Sequence, residues 1–416
     1  MVPHEEIYHR LIGASLGGKL EEETARLREE KADEKELEAL LHPNRQPIVM
    51  KASGECTCGD KEAPCQLACL FSAIQRDENG KLVIKEEHCT GCGACIASCK
   101  EGRLQERKDL IPLLELLQGR ETPVYAMIAP AFMGQFSPDV TAGKLRCAFK
   151  KLGFQGMIEV ALFADVLTLK EALEYDRQIQ SEGDFLLTSC CCPLWVAVIR
   201  KLYSALTPHI PPSVSPMAAC GRSVKRIHPE AKTVFIGPCL AKKAEAREAD
   251  IADAVDIVLT FQETQELFEA AGVDPGMLED DHKDHSSRGG RIYARTGGVS
   301  EAVEKTLEKL KKDRKIPFRA KQADGMLACK ALLEEVSTGN AGANFLEGMG
   351  CRGGCVGGPR AMIPTEEGRK NVNEYGKQAL YETPVDNPYT IALLKRLGYD
   401  TVEALLERDN MFIRKF

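Results

Sequence analysis

From residue 109 onward, short apolar runs alternate with amphipathic stretches. The runs cover residues 124–129, 157–160, 185–187, 234–236 and 257–260, each of strand length, and helical spacing fills the gaps between them. Strand alternating with helix predicts α/β layers. Ahead of this region, residues 19–41 are crowded with Glu, Lys and Arg. Their sparse apolar positions are Leu20, Leu27, Leu37, Leu40 and Leu41, a pattern that predicts a largely solvated helical extension. His42-Pro43-Asn44-Arg45-Gln46-Pro47 then breaks the helix. Residues 48–108 hold too few large apolar side chains for much of a core. Residues 366–416 read as helical, with Asn387-Pro388 as a helix start and Leu393, Leu394, Leu397, Leu405 and Leu406 as apolar positions. The expected division is a charged helical extension over 1–47, a compact unit over 48–108, a large α/β domain over 109–365 and a helical segment, 366–416, packed on it.

Composition narrows the functional classes. The chain has 416 residues, 28% charged and 44% apolar, with a net charge of −7. That balance argues against a broad basic surface for nucleic acid and against chain-wide disorder. The longest uncharged run, residues 202–221, carries four prolines, and the first ten residues include His, Glu and Arg where a secretory leader needs an apolar block. A cytoplasmic protein with no membrane and no nucleic-acid partner is expected. The seventeen cysteines remain to be explained. Eight fall from Cys56 to Cys99, three are consecutive at Cys190, Cys191 and Cys192, and Cys351 and Cys355 stand four apart. Without an export signal, such clusters point to metal thiolates or redox chemistry.

Cys89-x2-Cys92-x2-Cys95-x3-Cys99 has the bacterial ferredoxin spacing, in which three close thiolates grip a 4Fe-4S cube and the fourth serves a second cube. Gly91 and Gly93 let the backbone wrap closely around it. Zinc, the rival occupant, takes its four ligands in pairs and leaves this packed quartet poorly used. The group Cys56-x-Cys58-x6-Cys65-x3-Cys69 is less regular, and neither Cys69 nor Cys99 is followed by the customary proline. By the usual exchange, Cys89, Cys92 and Cys95 share one cube with Cys69, while Cys56, Cys58 and Cys65 share the other with Cys99. The expectation is a small ferredoxin-like α+β domain carrying two 4Fe-4S clusters.

Three further segments bring cysteines from distant parts of the large domain. They are Thr188-Ser189-Cys190-Cys191-Cys192-Pro193-Leu194-Trp195, Gly237-Pro238-Cys239-Leu240-Ala241-Lys242-Lys243-Ala244-Glu245, and Glu347-Gly348-Met349-Gly350-Cys351-Arg352-Gly353-Gly354-Cys355. The first two follow the ends of apolar runs, where open α/β sheets place ligands. One cysteine from each of those loops, with Cys351 and Cys355, can hold a further cube. Lys242 offers an ammonium to an anion beside it.

Taken together, these segments resemble the three signature motifs of the FeFe (iron-only) hydrogenases, and the resemblance covers most of residues 48–416. The first motif has one cysteine more than the common Thr-Ser-Cys-Cys-Pro form and is similar to that of a subgroup with the longer form. The resemblance implies a large H-cluster domain of two α/β lobes with short parallel sheets, preceded by the ferredoxin-like domain. It implies interconversion of H2 with two protons and two electrons. The H-cluster is a 4Fe-4S cube joined to a two-iron subcluster bearing CO, cyanide and an azadithiolate bridge. Ferredoxin or another redox protein would take the electrons, and maturation proteins would install the two-iron unit.

Carried over by motif, Cys192, Cys239, Cys351 and Cys355 would ligate the cube, with Cys355 bridging to the two-iron unit. Lys242 would hydrogen-bond one cyanide. Ala129 and Pro130 match the stretch that cradles the other, and Met349 matches a methionine packed by the bridging carbonyl. Cys191 matches the thiol that exchanges a proton with the bridging amine, and Glu171 and Glu174, three apart on a predicted helix, align with two relay glutamates. Counting instead from Thr188 makes Cys191 the ligand and Cys190 the proton donor. The count from Pro193, which begins the following helix, is preferred.

Several positions depart from the family pattern. The arginine expected beyond the glutamates is Gln178, with Arg177 adjacent, and the linking serine is replaced by Pro211, with Ser213 or Ser215 as substitutes beside the cofactor. Gly237, Met217 and Gly350 replace methionine, glutamine and alanine, which predicts a looser pocket. Cys147, Cys220 and Cys329 read as buried small apolar residues, and residues 280–285 read as an acidic, mobile loop rather than a metal site. Two other functions fit the same motifs: a non-catalytic iron-sulfur protein like the hydrogenase-related assembly factors, and a low-turnover H2 sensor.

Overall fold

In the computed structural model, the described residues are all but 1, 53–55, 57, 59–61, 120, 312, 341, 408–409 and 416. The small cysteine-rich unit contains two antiparallel pairs, β1 (Val49–Lys51) with β4 (Leu104–Glu106), and β2 (Ile74–Arg76) with β3 (Leu82–Ile84). Among the described residues its buried apolar cluster is Val49, Ala63, Cys65, Ile74 and Cys95, two of them cysteines, a small core for such a unit.

The large region is built on two parallel sheets. In the first, β5 (Val124–Ile128), β6 (Gly156–Glu159), β8 (Lys232–Gly237) and β9 (Ile257–Thr260) lie in the order β6-β5-β8-β9. In the second, β7 (Leu186–Leu187), β10 (Ala320–Asp324) and β11 (Phe345–Met349) lie in the order β10-β11-β7. The chain is α/β, with two lobes on short parallel sheets, each with its own buried apolar cluster. Helices cover these sheets, so β5 is buried almost throughout, as parallel strands require. No helix among the described residues is long and apolar enough to cross a membrane.

The amino-terminal segment differs from expectation. The helix His4–Leu16 buries Ile7, Tyr8, Leu11 and Ile12, and Leu27, Leu37 and Leu40 follow them into the core of the first lobe. Tyr8 donates to Glu266 at 3.0 Å. Sparse leucines at helical spacing suffice to dock an otherwise charged segment. The acidic loop 280–285 is likewise tied down rather than free. Asp284 pairs with buried Arg291, and Arg146 donates to the Asp281 carbonyl at 2.9 Å.

The carboxyl-terminal part does contain a helix, Pro388–Arg396, started by Asn387, whose side chain accepts from the Tyr389 amide at 3.0 Å. Beyond it, Phe412 and Leu405 are buried, and Ser213 pairs with Ile413 as an antiparallel bridge.

Candidate metal centre

The carboxyl ends of four strands converge on one cavity of about 70 Å³. β5 delivers Ala129 and Pro130, β8 delivers Pro238 and Cys239, β7 leads into Cys191 and Cys192, and β11 delivers Met349, Gly350 and Cys351. Cys355 and Lys242 complete the wall. Parallel strands end on the same side of their sheet, so loops distant in sequence share one crevice.

The first cysteine loop turns sharply. Ser189 holds φ at +70°, a left-handed conformation that costs an ordinary residue about 1 kcal/mol or more. Trp195, fully buried, donates to the Thr188 carbonyl at 2.7 Å and pins the far end. Cys192 caps the helix Pro193–Leu202, whose first residue is proline, and its sulfur accepts from the Gly350 amide at 3.2 Å. Cys191 also faces the cavity, whereas Cys190 points to Glu171, its sulfur 3.5 Å from Oε1.

Chemistry of the donor set fits an iron-sulfur cube. Cys239 and Cys355 are pushed up to about 12, first by burial and then by neighbouring thiols, with Cys192 acting on both. Cys351 is likewise raised well above the ordinary cysteine value, again by burial, then by Cys239, Cys192 and Cys355. The crowded thiols of Cys239, Cys351 and Cys355 are poorly suited to carry charge alone, and a cationic iron site would make them thiolates. Burial opposes the charge of Lys242, but Glu245 and the thiols of Cys239 and Cys191 outweigh it and hold the lysine above its usual value. Its ammonium pairs with Glu245 at the edge of the cavity.

Closeness at the glycines is real. A Cβ on Gly354 would lie 2.7 Å from the Thr296 amide nitrogen, and one on Gly350 would lie 2.6 Å from the Leu194 Cβ. The looser pocket expected from Gly237 and Gly350 is not found. The Phe235 ring comes within 2.9 Å of where a Cβ on Gly237 would be, and Leu194 fills the space at Gly350.

Glu171 and Glu174 lie inside the helix Ala161–Gln178, both about 1% exposed. Thr188 donates to Glu171 at 3.0 Å from the side opposite Cys190. Burial, reinforced by Glu174, raises the Glu171 carboxyl to about 7 against these hydrogen bonds. The thiol of Cys190 is raised well above the ordinary cysteine value by burial and then by Glu171. Ser213, not Ser215, reaches Glu174, at 3.4 Å. Ser215 does not stand beside the cavity but caps the helix Pro216–Ile227 through the Ala218 amide, because a serine before Pro-Met-Ala is an N-cap.

Two groups escaped the sequence reading. Tyr293 lines the cavity and shares a 2.8 Å hydrogen bond with Thr168; no motif marks it. Lys170 pairs with Glu174 and donates to Ser213 at 2.7 Å. The i, i+4 spacing of Lys170 and Glu174 was its available signal. Of the isolated cysteines, Cys220 and Cys329 are fully buried and Cys147 is half-buried.

In the small unit, Cys69, Cys89, Cys92 and Cys95 line one cavity, and Cys56, Cys58, Cys65 and Cys99 line a larger open cleft. The two groupings are those of the ferredoxin exchange. Amides of Ala73 and Arg103 donate to Cys69 and Cys99 at 3.2 and 3.3 Å. Cys56 and Cys58 lie with their sulfurs 3.2 Å apart, and Glu101 joins them within ligand distance, a group the spacing did not indicate. Residues 59–61, in the loop separating Cys58 from Cys65, lie outside the described residues. Gly91 and Gly93, at φ +67° and +78°, seat the Cys92 loop on Leu240 and Ala241, next to Cys239. Cys92 is close enough to act on the Cys351 thiol.

The family model described as iron only hydrogenase large subunit, C-terminal domain, matches residues 122–359. "Iron hydrogenase 1" of Clostridium pasteurianum is 27% identical over 300 residues, covering 62% of this chain and 52% of that protein. The chain thus aligns with about half the length of that relative. "Cytosolic iron-sulfur assembly component 3" of Pongo abelii is 24% identical over 380 residues, covering 76% of this chain and 79% of that protein. A solved [FeFe]-hydrogenase structure, described in terms of oxygen inactivation through its H cluster 2Fe subcluster, shares the fold. Its TM-score is 0.60 at 20% identity, covering 74% of this chain and 98% of that one. With that model spanning more than half of its length, the chain belongs to the iron-only hydrogenase large-subunit family.

Proposed function

We propose that the chain is a hydrogenase that interconverts H2 with two protons and two electrons. One observation carries the reading: a fifth thiol, Cys191, lines the cavity of the four cube ligands together with Lys242, and Cys190 next to it reaches the buried Glu171. A protein that only stores a cube has no use for a spare cavity thiol whose neighbour in the chain, Cys190, meets a buried carboxyl raised to about 7.

In this reading Cys192, Cys239, Cys351 and Cys355 would hold the cube, Cys355 would be shared with a two-iron subcluster, and Lys242, the Ala129-Pro130 backbone and Met349 would bind that subcluster. That unit supplies the H2 chemistry when bound. The chain supplies a closed, mostly apolar site, and Cys191 and Glu171 exchange the proton between site and helix interior. Cys69, Cys89, Cys92 and Cys95 would hold one further cube and Cys56, Cys58, Cys65 and Cys99 another, and such cubes would supply one-electron redox chemistry toward ferredoxin or another redox protein. Dedicated maturation proteins install the two-iron unit.

The assembly-component likeness, which spans more of both chains than that to the Clostridium protein, favours a second reading, a cube-bearing protein without turnover. Infrared spectra of anaerobically matured protein decide between them. CO and cyanide stretches together with H2-linked dye reduction are expected; absence of both in cube-replete protein refutes the hydrogenase reading.

A further inference from the structure

The helix Ala161–Gln178 buries three consecutive-turn charges at its centre, Lys170, Glu171 and Glu174, each about 1% exposed. Glu171 faces the cysteine loop, but the other two form a closed triangle with Ser213. Lys170 pairs with Glu174 Oε1 and donates to Ser213 Oγ at 2.7 Å, and Ser213 donates to Glu174 Oε2 at 3.4 Å. Ser213 is itself clamped from outside by the carboxyl-terminal segment. The Val214 amide donates to the Phe412 carbonyl at 2.9 Å, and the Arg414 amide to that of Pro212 at 3.3 Å.

A buried ammonium or carboxylate alone carries a desolvation cost of several kcal/mol, so each is retained here because the other is present. The cation for Glu174 therefore comes from the preceding helical turn, in a chain that has Gln178 one turn later.

We propose that Lys170 is a positioning residue of the proton route, locking Glu174 and Ser213 into one hydrogen-bonded outer station and leaving Glu171 as the carboxyl that takes up and releases the proton. This rests on the proton-transfer reading above. The groups facing the pair are consistent with it. Cys190 and Tyr293 stand with Glu171 on the cavity side, and Ser213 faces from the loop before Pro216–Ile227. Arg414 of the covering segment pairs with Glu248 and Asp250. With Lys170 already paired, Glu171 keeps a carboxyl raised to about 7 by burial and Glu174.

Infrared pH titration of protein carrying only its 4Fe-4S clusters tests this without H2 turnover. In the wild type, one buried carboxyl should titrate near neutrality and vanish in Glu171→Gln. Lys170→Met should add a second, abolished by also making Glu174→Gln, while Lys170→Arg keeps the wild-type pattern. In matured protein, Lys170→Met should lower H2 evolution by about tenfold or more and displace the pH profile, with Lys170→Arg restoring both. A Lys170→Met protein with no added carboxyl and an unmoved profile overturns the proposal. Should that variant not accumulate folded, Ser213→Ala, which leaves every charge in place, must move the pH profile, and an unmoved one overturns it equally. A wild type inactive toward H2 that still shows the carboxyl pattern refutes the hydrogenase reading and leaves the role of Lys170 as the ion-pair partner standing.

Discussion

Replacing Glu171 by glutamine removes one ionisable group from behind the cysteine loop while keeping its shape. Thr188 and Cys190 approach the two carboxylate oxygens separately, at 3.0 and 3.5 Å, so an amide can keep its oxygen on Thr188 and turn its NH2 toward the sulfur. In the folded protein the carboxyl is held at about 7 instead of 4.5, first by burial and then by Glu174. A carboxyl that binds its proton more tightly in the folded chain than in the unfolded one opposes folding as pH rises. The penalty is absent below 4.5, grows between 4.5 and about 7, and is complete above that. The displacement corresponds to about 3 kcal/mol, or about 3–4 °C in Tm for a chain this long. Scanning calorimetry of anaerobic, cluster-loaded protein at matched scan rates measures it. The Tm of E171Q relative to wild type should climb by about that amount across the window and stay level above it. A difference that is constant with pH, or that falls, refutes the assignment of a raised, proton-binding carboxyl at 171.

The neighbouring thiols give a second test: Cys191→Ala should cut H2 turnover by about 100-fold while the CO and cyanide bands remain, and unchanged activity would transfer the role to Cys190. Gly348→Ala would place its Cβ 2.1 Å from the Trp195 ring, so a loss of about 1–3 kcal/mol or failure to accumulate is expected in a thermal melt. Cys69→Ser should remove the cube held by Cys89, Cys92 and Cys95 and spare the one held by Cys56, Cys58, Cys65 and Cys99; Mössbauer quantification of iron that shows the reverse loss would overturn the exchange pairing.

What the sequence revealed and what it hid have separate physical causes. Strands β5, β6, β8 and β9 were legible because parallel strands covered on both faces read as unbroken apolar runs. β10 and β11 were not. β10 is Ala-Lys-Gln-Ala-Asp, an edge strand with exposed positions, and β11 carries Glu347. That glutamate is fully buried because it accepts from the amides of Gly297 and Ser300 at 2.6 and 2.8 Å and caps the helix Gly298–Leu310. A charge that caps a distant helix looks locally like a break in a strand. The cysteine groups that line the cavities were readable because the cysteines cluster along the chain and follow the ends of apolar runs. Tyr293 was not, because its role depends on which elements meet at the cavity, a tertiary fact with no local periodicity, whereas Lys170 carried only the i, i+4 spacing to Glu174, a signal that solvated helix surfaces share.

Lys242 and Lys243 show why burial of charge alone does not identify a working group. Both sit on the short helix Ala241–Glu245. Lys243 is fully buried and bonds Glu263 at 2.8 Å, Asp109 at 2.9 Å and the Arg107 carbonyl at 2.6 Å. Glu263 in turn accepts from the Asp109 amide and from Thr260. Burial alone would raise Glu263, but Lys243 and Lys108 outweigh it and take the carboxyl down to about 2. Its stabilising contribution is therefore present above the ordinary glutamate range and lost only as pH falls toward 2. This cluster stays ionised at any working pH and clamps residues 107–109, at the end of the small unit, onto the first lobe. Glu171 is its opposite, for it has no ion pair among the described residues and is left titrating near neutrality beside a cavity. Complete compensation makes a buried charge a structural joint, whereas incomplete compensation next to an enclosed space makes one that can pass a proton.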